Sequence, residues 1–431
     1  MTLLFLMGCR ADPPRPDAGG EPPDAGGELP DAGVMEKNAT LVSPKPARVE
    51  KFGASVAVRG ETVLVGAPGS GAPERLSSGA AYLFERGLEG EWLAGCPLTG
   101  SETRANDSFG QAVAMAGEVI VIGAPFGKSG DISTGAVSVF ERRGAGCDWV
   151  EQARLTPEGA GGGLFGAAVA TDGTRVVVGA FDMGARKEGA VYVYSKQKES
   201  WTLEASLSAS DRIAYAHFGI SVALSGDTLL VGADTDGTQG DAAGAAYVFV
   251  YKDGRWSEQA KLLASQGDEF DFFGYSVELQ QDTAVIGAHL DEDSGGTHSS
   301  GAVYVFSRSG EDWREQARLV PADNHPGGAF GISVALAGDT LVAGAYQNGD
   351  KGRNAGAVYV FQQADEGWRE VSKLYREGAS AEEEFGFWVD LSETGLLVGG
   401  APGVDGPDTN AGAAYVTRRD ISPRLGTAPG R

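Results

Sequence analysis

Phe273-Gly274-Tyr275-Ser276-Val277-Glu278-Leu279 opens a unit that continues through Ile286-Gly287-Ala288, Gly301-Ala302-Val303-Tyr304-Val305-Phe306 and a stretch from Trp313 to Leu319. The Phe-Gly pair recurs at Phe52, Phe109, Phe165, Phe218, Phe273, Phe330 and Phe385, in steps of 57, 56, 53, 55, 57 and 55 residues. A repeat of this length marks one supersecondary unit copied and stacked. The later marks keep their offsets. Val65-Gly66-Ala67, Ile122-Gly123-Ala124, Val178-Gly179-Ala180, Val231-Gly232-Ala233 and Gly400-Ala401-Pro402 follow their Phe-Gly pairs, and Trp92, Trp149, Trp201, Trp256, Trp313 and Trp368 share one slot.

Each unit reads as four strands. Thr228-Leu229-Leu230-Val231 is continuously apolar and β-rich, the pattern of a strand covered on both faces. Ser225-Gly226-Asp227 and Ala337-Gly338-Asp339 are hairpin turns by composition. The Trp strand mixes apolar and charged residues, as in Trp256-Ser257-Glu258-Gln259-Ala260-Lys261-Leu262, which suits an exposed outer edge. Four-stranded antiparallel sheets repeated radially form a propeller. Phe is expected to wedge between blades, and Gly to allow close backbone approach or positive φ.

The seventh unit lacks its Trp strand: after Ala413-Ala414-Tyr415-Val416 the chain turns polar. The missing piece stands at the other end, as Ala39-Thr40-Leu41. Leu41 precedes Phe52 by 11 residues, the interval also found from Leu98, Leu207, Leu262, Leu319 and Leu374 to the next Phe. The expected fold is therefore an all-β, seven-bladed β-propeller of four-stranded antiparallel blades, with an N-terminal strand completing the last blade. Closure removes the open edges that a linear array would leave.

Four segments follow: 1–9 a signal-type leader, 10–37 a flexible tether, 38–420 the propeller and 421–431 a polar tail. Residues 10–37 hold three near-copies of Pro-Asp-Ala-Gly, at Pro16, Pro23 and Pro30. Such a segment has too little apolar surface to build a core, and its coil span is about 30 Å. Leu3-Leu4-Phe5-Leu6-Met7-Gly8-Cys9 resembles the cleavage box of bacterial lipoproteins, which implies lipidation at Cys9; it departs from that pattern in having no basic start. The reading is an exported chain, lipid-anchored to the cell envelope at the outer membrane or cell surface. The net charge of −24 disfavours nucleic acid and anionic membrane as partners. The membrane is then touched only through the anchor, and the ring is expected to be monomeric. In an exported chain Cys96 and Cys147 are the candidate disulfide, although Cys96 lies four residues after its Trp and Cys147 two before.

The Phe-Gly and Gly-Ala-Pro marks resemble FG-GAP repeats, the units of the integrin α-subunit N-terminal propeller, and above all the bacterial FG-GAP-repeat proteins. Phe273-Gly274-Tyr275-Ser276-Val277, Leu64-Val65-Gly66-Ala67-Pro68 and Gly301-Ala302-Val303-Tyr304-Val305-Phe306 carry the resemblance, which spans about 38–420. It implies a seven-bladed propeller and adhesion through the loop face. Integrin-type repeats often hold an Asp-x-Asp-x-Asp-Gly calcium loop between the first two strands. Here that position is a tight turn, Gly226-Asp227-Thr228 or Gly60-Glu61-Thr62, with too few oxygens for a six- to eight-coordinate ion.

Function is sought in the loops between strands two and three and in those leading into each Phe-Gly pair, expected on one face. Asp291 and Asp293, in Asp291-Glu292-Asp293-Ser294-Gly295-Gly296, and Asp234 and Asp236, in Asp234-Thr235-Asp236-Gly237, alternate like a partial calcium loop but lack the bidentate acid. They are the candidate metal ligands and calcium the candidate ion; no cofactor is required. His217, His289, His298 and His325 fall on this face without ligand spacing. Tyr215, Phe270 and Tyr346, with His217 and His298, are the candidate ligand-binding residues. No Gly-x-Ser-x-Gly elbow, His-Glu-x-x-His or P-loop occurs. The expected function is a non-catalytic binding or adhesion module for protein or carbohydrate. The alternative is an extracellular polysaccharide hydrolase or lyase working through loop carboxylates.

Overall fold

Apolar runs separated by glycine turns fold into antiparallel meanders. The computed structural model describes residues 39–71, 77–129, 132–157, 163–292, 299–323, 325–406 and 409–419, and every regular element among them is β. In blade 4 the strands Val222–Ser225, Thr228–Ala233, Ala245–Lys252 and Arg255–Leu262 pair in chain order. The first turn places Ser225 opposite Thr228, and Gly226 takes φ +58°, which a two-residue hairpin requires. Six such sheets are sequential. The seventh runs Ala39–Leu41, Ala413–Arg418, Leu396–Ala401, Val389–Leu391. Leu41 pairs with Ala414 and Ala39 with Val416, so the N-terminal strand completes the last blade as its spacing predicts.

The first strand of each blade touches the first strands of both neighbours, and Ser55–Arg59 of blade 1 meets Val389–Leu391 of blade 7. These strands therefore ring the axis. The Gly of each Gly-Ala mark lies against the backbone of the next blade: a Cβ on Gly66 would sit 2.1 Å from the Gly110 carbonyl oxygen, and one on Gly400 would sit 2.0 Å from that of Gly53. The second contact joins blade 7 to blade 1 as the first joins blade 1 to blade 2.

Each Phe of a Phe-Gly pair is at most 1% exposed. Phe52 lies among Val56, Val65 and Tyr82 of blade 1 and Leu396, Val398 and Ala414 of blade 7, the wedge expected between blades. The Trp strand departs from the exposed-edge expectation. Trp201 and Trp256 are buried, and their indole N–H groups donate to Glu141 (3.2 Å) and Glu204 (2.7 Å) on the preceding blade. A strand that looks half-charged is thus apolar toward one neighbour. Blade 1 differs, since its outer strand is only Cys96–Leu98. There Cys96 is bonded to Cys147 of blade 2 with Cα atoms 5.5 Å apart, across a sequence separation of 51. Closing a loop of that length contributes about 4 kcal/mol in the chain-entropy account. The unequal slots of the two cysteines are no obstacle once blade 1 is this short at its rim.

Candidate functional site

Among the described residues, the linkers entering six of the seven blades share one conformation. The residues three and one before Phe take left-handed backbone, as Val49 and Lys51, Asn106 and Ser108, Tyr215 and His217, Phe270 and Phe272, and Glu382 and Glu384 show. Their N–H groups reach carbonyls in the loop between strands two and three of the preceding blade: Tyr215 to Arg186 at 3.0 Å, Phe270 to Asp241 at 2.8 Å, Glu382 to Arg353 at 2.8 Å. Linkers and these loops therefore form one continuous face. The slot three before Phe suits Gly or Asn, and blade 6 uses Gly327 at φ +70°. Blades 4 and 5 instead put Tyr215 and Phe270 there, 62% and 55% exposed. The turn aims each ring into solvent at a backbone cost of about 1 kcal/mol.

Among the described residues, the candidate calcium ligands do not converge. Asp236 is fully buried and accepts from Tyr247 Oη (2.7 Å), Thr238 Oγ1 (2.6 Å) and Lys261 Nζ (2.9 Å). Asp291 accepts from Tyr304 Oη (2.6 Å) and is ion-paired with Arg318. Asp234 is bonded to His217 Nδ1 at 3.0 Å. Burial pushes the Asp234 and Asp291 carboxyls up, against the pull of His217 and Arg318. A protein cation stands where the sequence reading looked for a metal, so these donors do not fit calcium. Among the described residues no three His, Cys, Asp or Glu side chains are placed to hold an ion. Asp293, His298 and Cys9 lie outside the described residues.

The cation comes from the outer strand. Tyr247, Tyr304 and Tyr359 pair across the sheet with Lys261, Arg318 and Lys373. In blade 6, Lys373 Nζ binds Asp323 and, at 2.6 Å, Asp350; burial would lower its pKa, but Tyr359 and these carboxylates outweigh burial and hold it raised. The Tyr–acid–cation triad of blades 4 to 6 is a packing device that brings polar tips to the loop face fully bonded. Its signal was present in sequence, in the basic residue 14 positions after each Tyr.

Two other ligand-binding candidates are corrected. His217 is buried, paired with Asp234 and edge-on to Phe181 at 5.3 Å. Tyr346 is 6% exposed and packs on Phe387 at 5.4 Å beside Ile332 and Ala329, so it plugs the inner mouth of the ring. His289 is likewise buried, 4.5 Å from the Tyr275 ring, and burial pushes it down to about 4. Asp271 caps a linker: its Oδ2 accepts the Asp268 N–H at 2.6 Å, as Asp107 accepts the Arg104 N–H at 2.8 Å in blade 2. Of the five proposed ligand-binding residues, Tyr215 and Phe270 reach solvent as anchors would.

Aligning the innermost strands exposes a pair the sequence reading did not single out. The slot opposite Leu64, Val121, Val177, Leu230 and Val342 holds Ala57, Ala114, Ala170, Ala223 and Ala335, but blades 5 and 7 hold Glu278 and Asp390. Asp390 accepts the Val58 N–H of blade 1 at 2.6 Å. Burial, reinforced by the Asp390 charge, pushes Glu278 up to about 8; burial pushes Asp390 up to about 6. A carboxyl raised in the fold binds its proton more tightly there than in the unfolded chain, so its stabilising effect is full below the unfolded pKa of 4.5 and is lost as pH rises through about 8. Because Glu278 is half-buried, solvent screening reduces the effect to about 1–2 kcal/mol. Glu278→Gln is expected to match the wild-type melting temperature at pH 5 and to exceed it at pH 8.5. Parallel melting curves across that range would refute the assignment.

No curated protein matches the chain. The family model described as FG-GAP repeat matches residues 36–84, 92–140, 149–194, 201–249, 256–306, 313–361 and 368–417, well over half of the sequence. From the third match onward, each begins in the outer strand of one blade and ends in the third strand of the next, and the second begins at Trp92, just before the short outer strand of blade 1. That offset is why the first match contains the strand that closes the ring. The phased matches and the seven closed blades together place this chain in the FG-GAP repeat family, as a seven-bladed β-propeller.

Proposed function

We propose that the protein is a non-catalytic binding module, displayed from the cell envelope, that holds a protein or carbohydrate ligand on its linker face. The observation that carries this reading is the pair Tyr215 and Phe270, exposed rings in one structural slot of adjacent blades. Exposed aromatic side chains on a rigid frame are good anchors, because little rotamer freedom is lost on contact. Support for a non-catalytic role comes from the loop carboxylates Asp236, Asp291, Asp323 and Asp350, each engaged by Lys, Arg or Tyr. Display is supported by the leader ending at Cys9, by the Pro-Asp-Ala-Gly tether and by the Cys96–Cys147 bond, which suits an oxidising compartment. Among the described residues no helix is long and apolar enough to cross a membrane.

The test is capture on immobilised protein of a panel of purified polysaccharides and envelope proteins. Tyr215→Ala/Phe270→Ala is expected to lower capture at least about tenfold, the loss of a typical hot spot. Lys252→Ala/Asp253→Ala, in the hairpin on the opposite face, is expected to leave it unchanged. Full capture by the first variant would overturn the reading.

A further inference from the structure

Resting on the linker face as the binding face, we infer that the corner at the junction of blades 3 and 4 recognises an acidic sugar: a pyranose ring carrying a carboxylate, stacked on Tyr215 and paired with Arg186 and Arg212. The three residues are tied together. Tyr215 N–H donates to the Arg186 carbonyl at 3.0 Å, and Arg186 Nη2 donates to the Arg212 carbonyl at 2.7 Å. All three are exposed, and among the described residues neither guanidinium is in an ion pair.

The neighbouring charges are already engaged. Lys187 pairs with Asp182 at 3.0 Å, and Asp211 with Lys261 at 2.7 Å. Glu188 Oε2 accepts the Arg186 N–H at 3.0 Å; its carboxyl is held below the usual range first by its own N–H, then by the Arg186 N–H, with the charges of the two arginines adding to the effect. Two exposed arginines at one corner that enter no ion pair among the described residues are unexpected on a chain of net charge −24. Elsewhere the loop-face cations Lys261, Arg318 and Lys373 are consumed by acids. Phe270, in the same slot one blade on, stands beside Asp241 and Glu269 instead, so the two aromatic corners differ in sign.

An exposed tyrosine ring with two arginines at the same corner suits the apolar face of a pyranose and a carboxylate at its edge. The overall negative charge opposes a dense polyanion. Screening beyond about 8 Å at physiological salt leaves a single acidic residue governed by the local arginines. The ligand class is therefore a glycan with acidic sugars. An acidic peptide would present carboxylates without a stacking ring.

The experiment is calorimetric titration of the full chain with trigalacturonate, maltotriose and hexaglutamate. Trigalacturonate is expected to bind at least about tenfold more tightly than maltotriose, and more weakly as salt is raised. Arg186→Gln/Arg212→Gln, checked for an unchanged melting curve, is expected to erase that preference, and Tyr215→Ala to weaken both sugars. Equal affinity for the two sugars, or an unchanged preference in the arginine variant, overturns the inference. Hexaglutamate binding more tightly than trigalacturonate overturns it in favour of an acidic polypeptide. If a ligand from the wider panel depends on Tyr215 and Phe270 but not on the arginines, the acidic-sugar inference fails and the linker-face reading stands. If neither aromatic matters to any ligand, the linker-face reading itself has failed.

Discussion

Deleting residues 38–43 is expected to lower the thermal midpoint sharply and to promote aggregation. The segment contributes the outer strand of blade 7, with Ala39, Thr40 and Leu41 in register against Val416, Tyr415 and Ala414. Leu41 is 3% exposed, and its side chain packs in the cluster between blades 7 and 1. Burial of one Leu and the hydrogen bonds of a three-residue strand come to about 5 kcal/mol. The deletion also uncovers the Ala413–Arg418 strand as a free edge, a template for association with other chains. Because blade 7 draws strands from both ends of the chain, its loss opens the ring. An unchanged melting curve, with no new association by light scattering, would refute closure.

Phe218→Ala is expected to cost about 3–5 kcal/mol, the range for removing a buried aromatic ring. The side chain is fully buried, 5.4 Å from the Tyr247 ring and 5.9 Å from Phe249, between blades 3 and 4. Tyr215→Ala, three residues earlier, removes an exposed ring and is expected to change stability by no more than about 0.5 kcal/mol. Denaturant midpoints of the two variants separate the roles: the repeated Phe builds the frame, and the variable residue beside it serves the surface. Equal midpoints would contradict that division.

The frame was legible because its signals are periodic. Phe, Gly, Gly-Ala and Trp recur at near-constant offsets, and the interval from Leu41 to Phe52 located the split blade. The outer strands were legible only in part. Trp256 and its counterparts sit among charged residues, but only one side of the strand meets the preceding blade, and the Trp takes that side. The loop face was less legible. Asp236 and Asp291 read as metal ligands because alternating acids show spacing but not the neutralising cation, which arrives from a strand 25 or 27 residues later. Tyr346 and Tyr215 are both loop tyrosines in sequence. What separates them is that Tyr346 follows a Gly-Ala mark near the axis and meets Phe387, whereas Tyr215 occupies a left-handed turn that points outward. Neither Glu278 nor Asp390 stands out until the seven inner strands are aligned and alanine fills the other five positions.

On the proposed reading, recognition resides on the linker face and not in the repeated marks or the hairpins opposite. It is tested most directly by titrating trigalacturonate and the captured panel ligands into Tyr215→Ala/Phe270→Ala and Lys252→Ala/Asp253→Ala side by side, each with its melting curve. Both variants are expected to melt like wild type, the first to lose binding by about tenfold or more and the second to keep it. Binding retained by the first variant and lost by the second would contradict that reading.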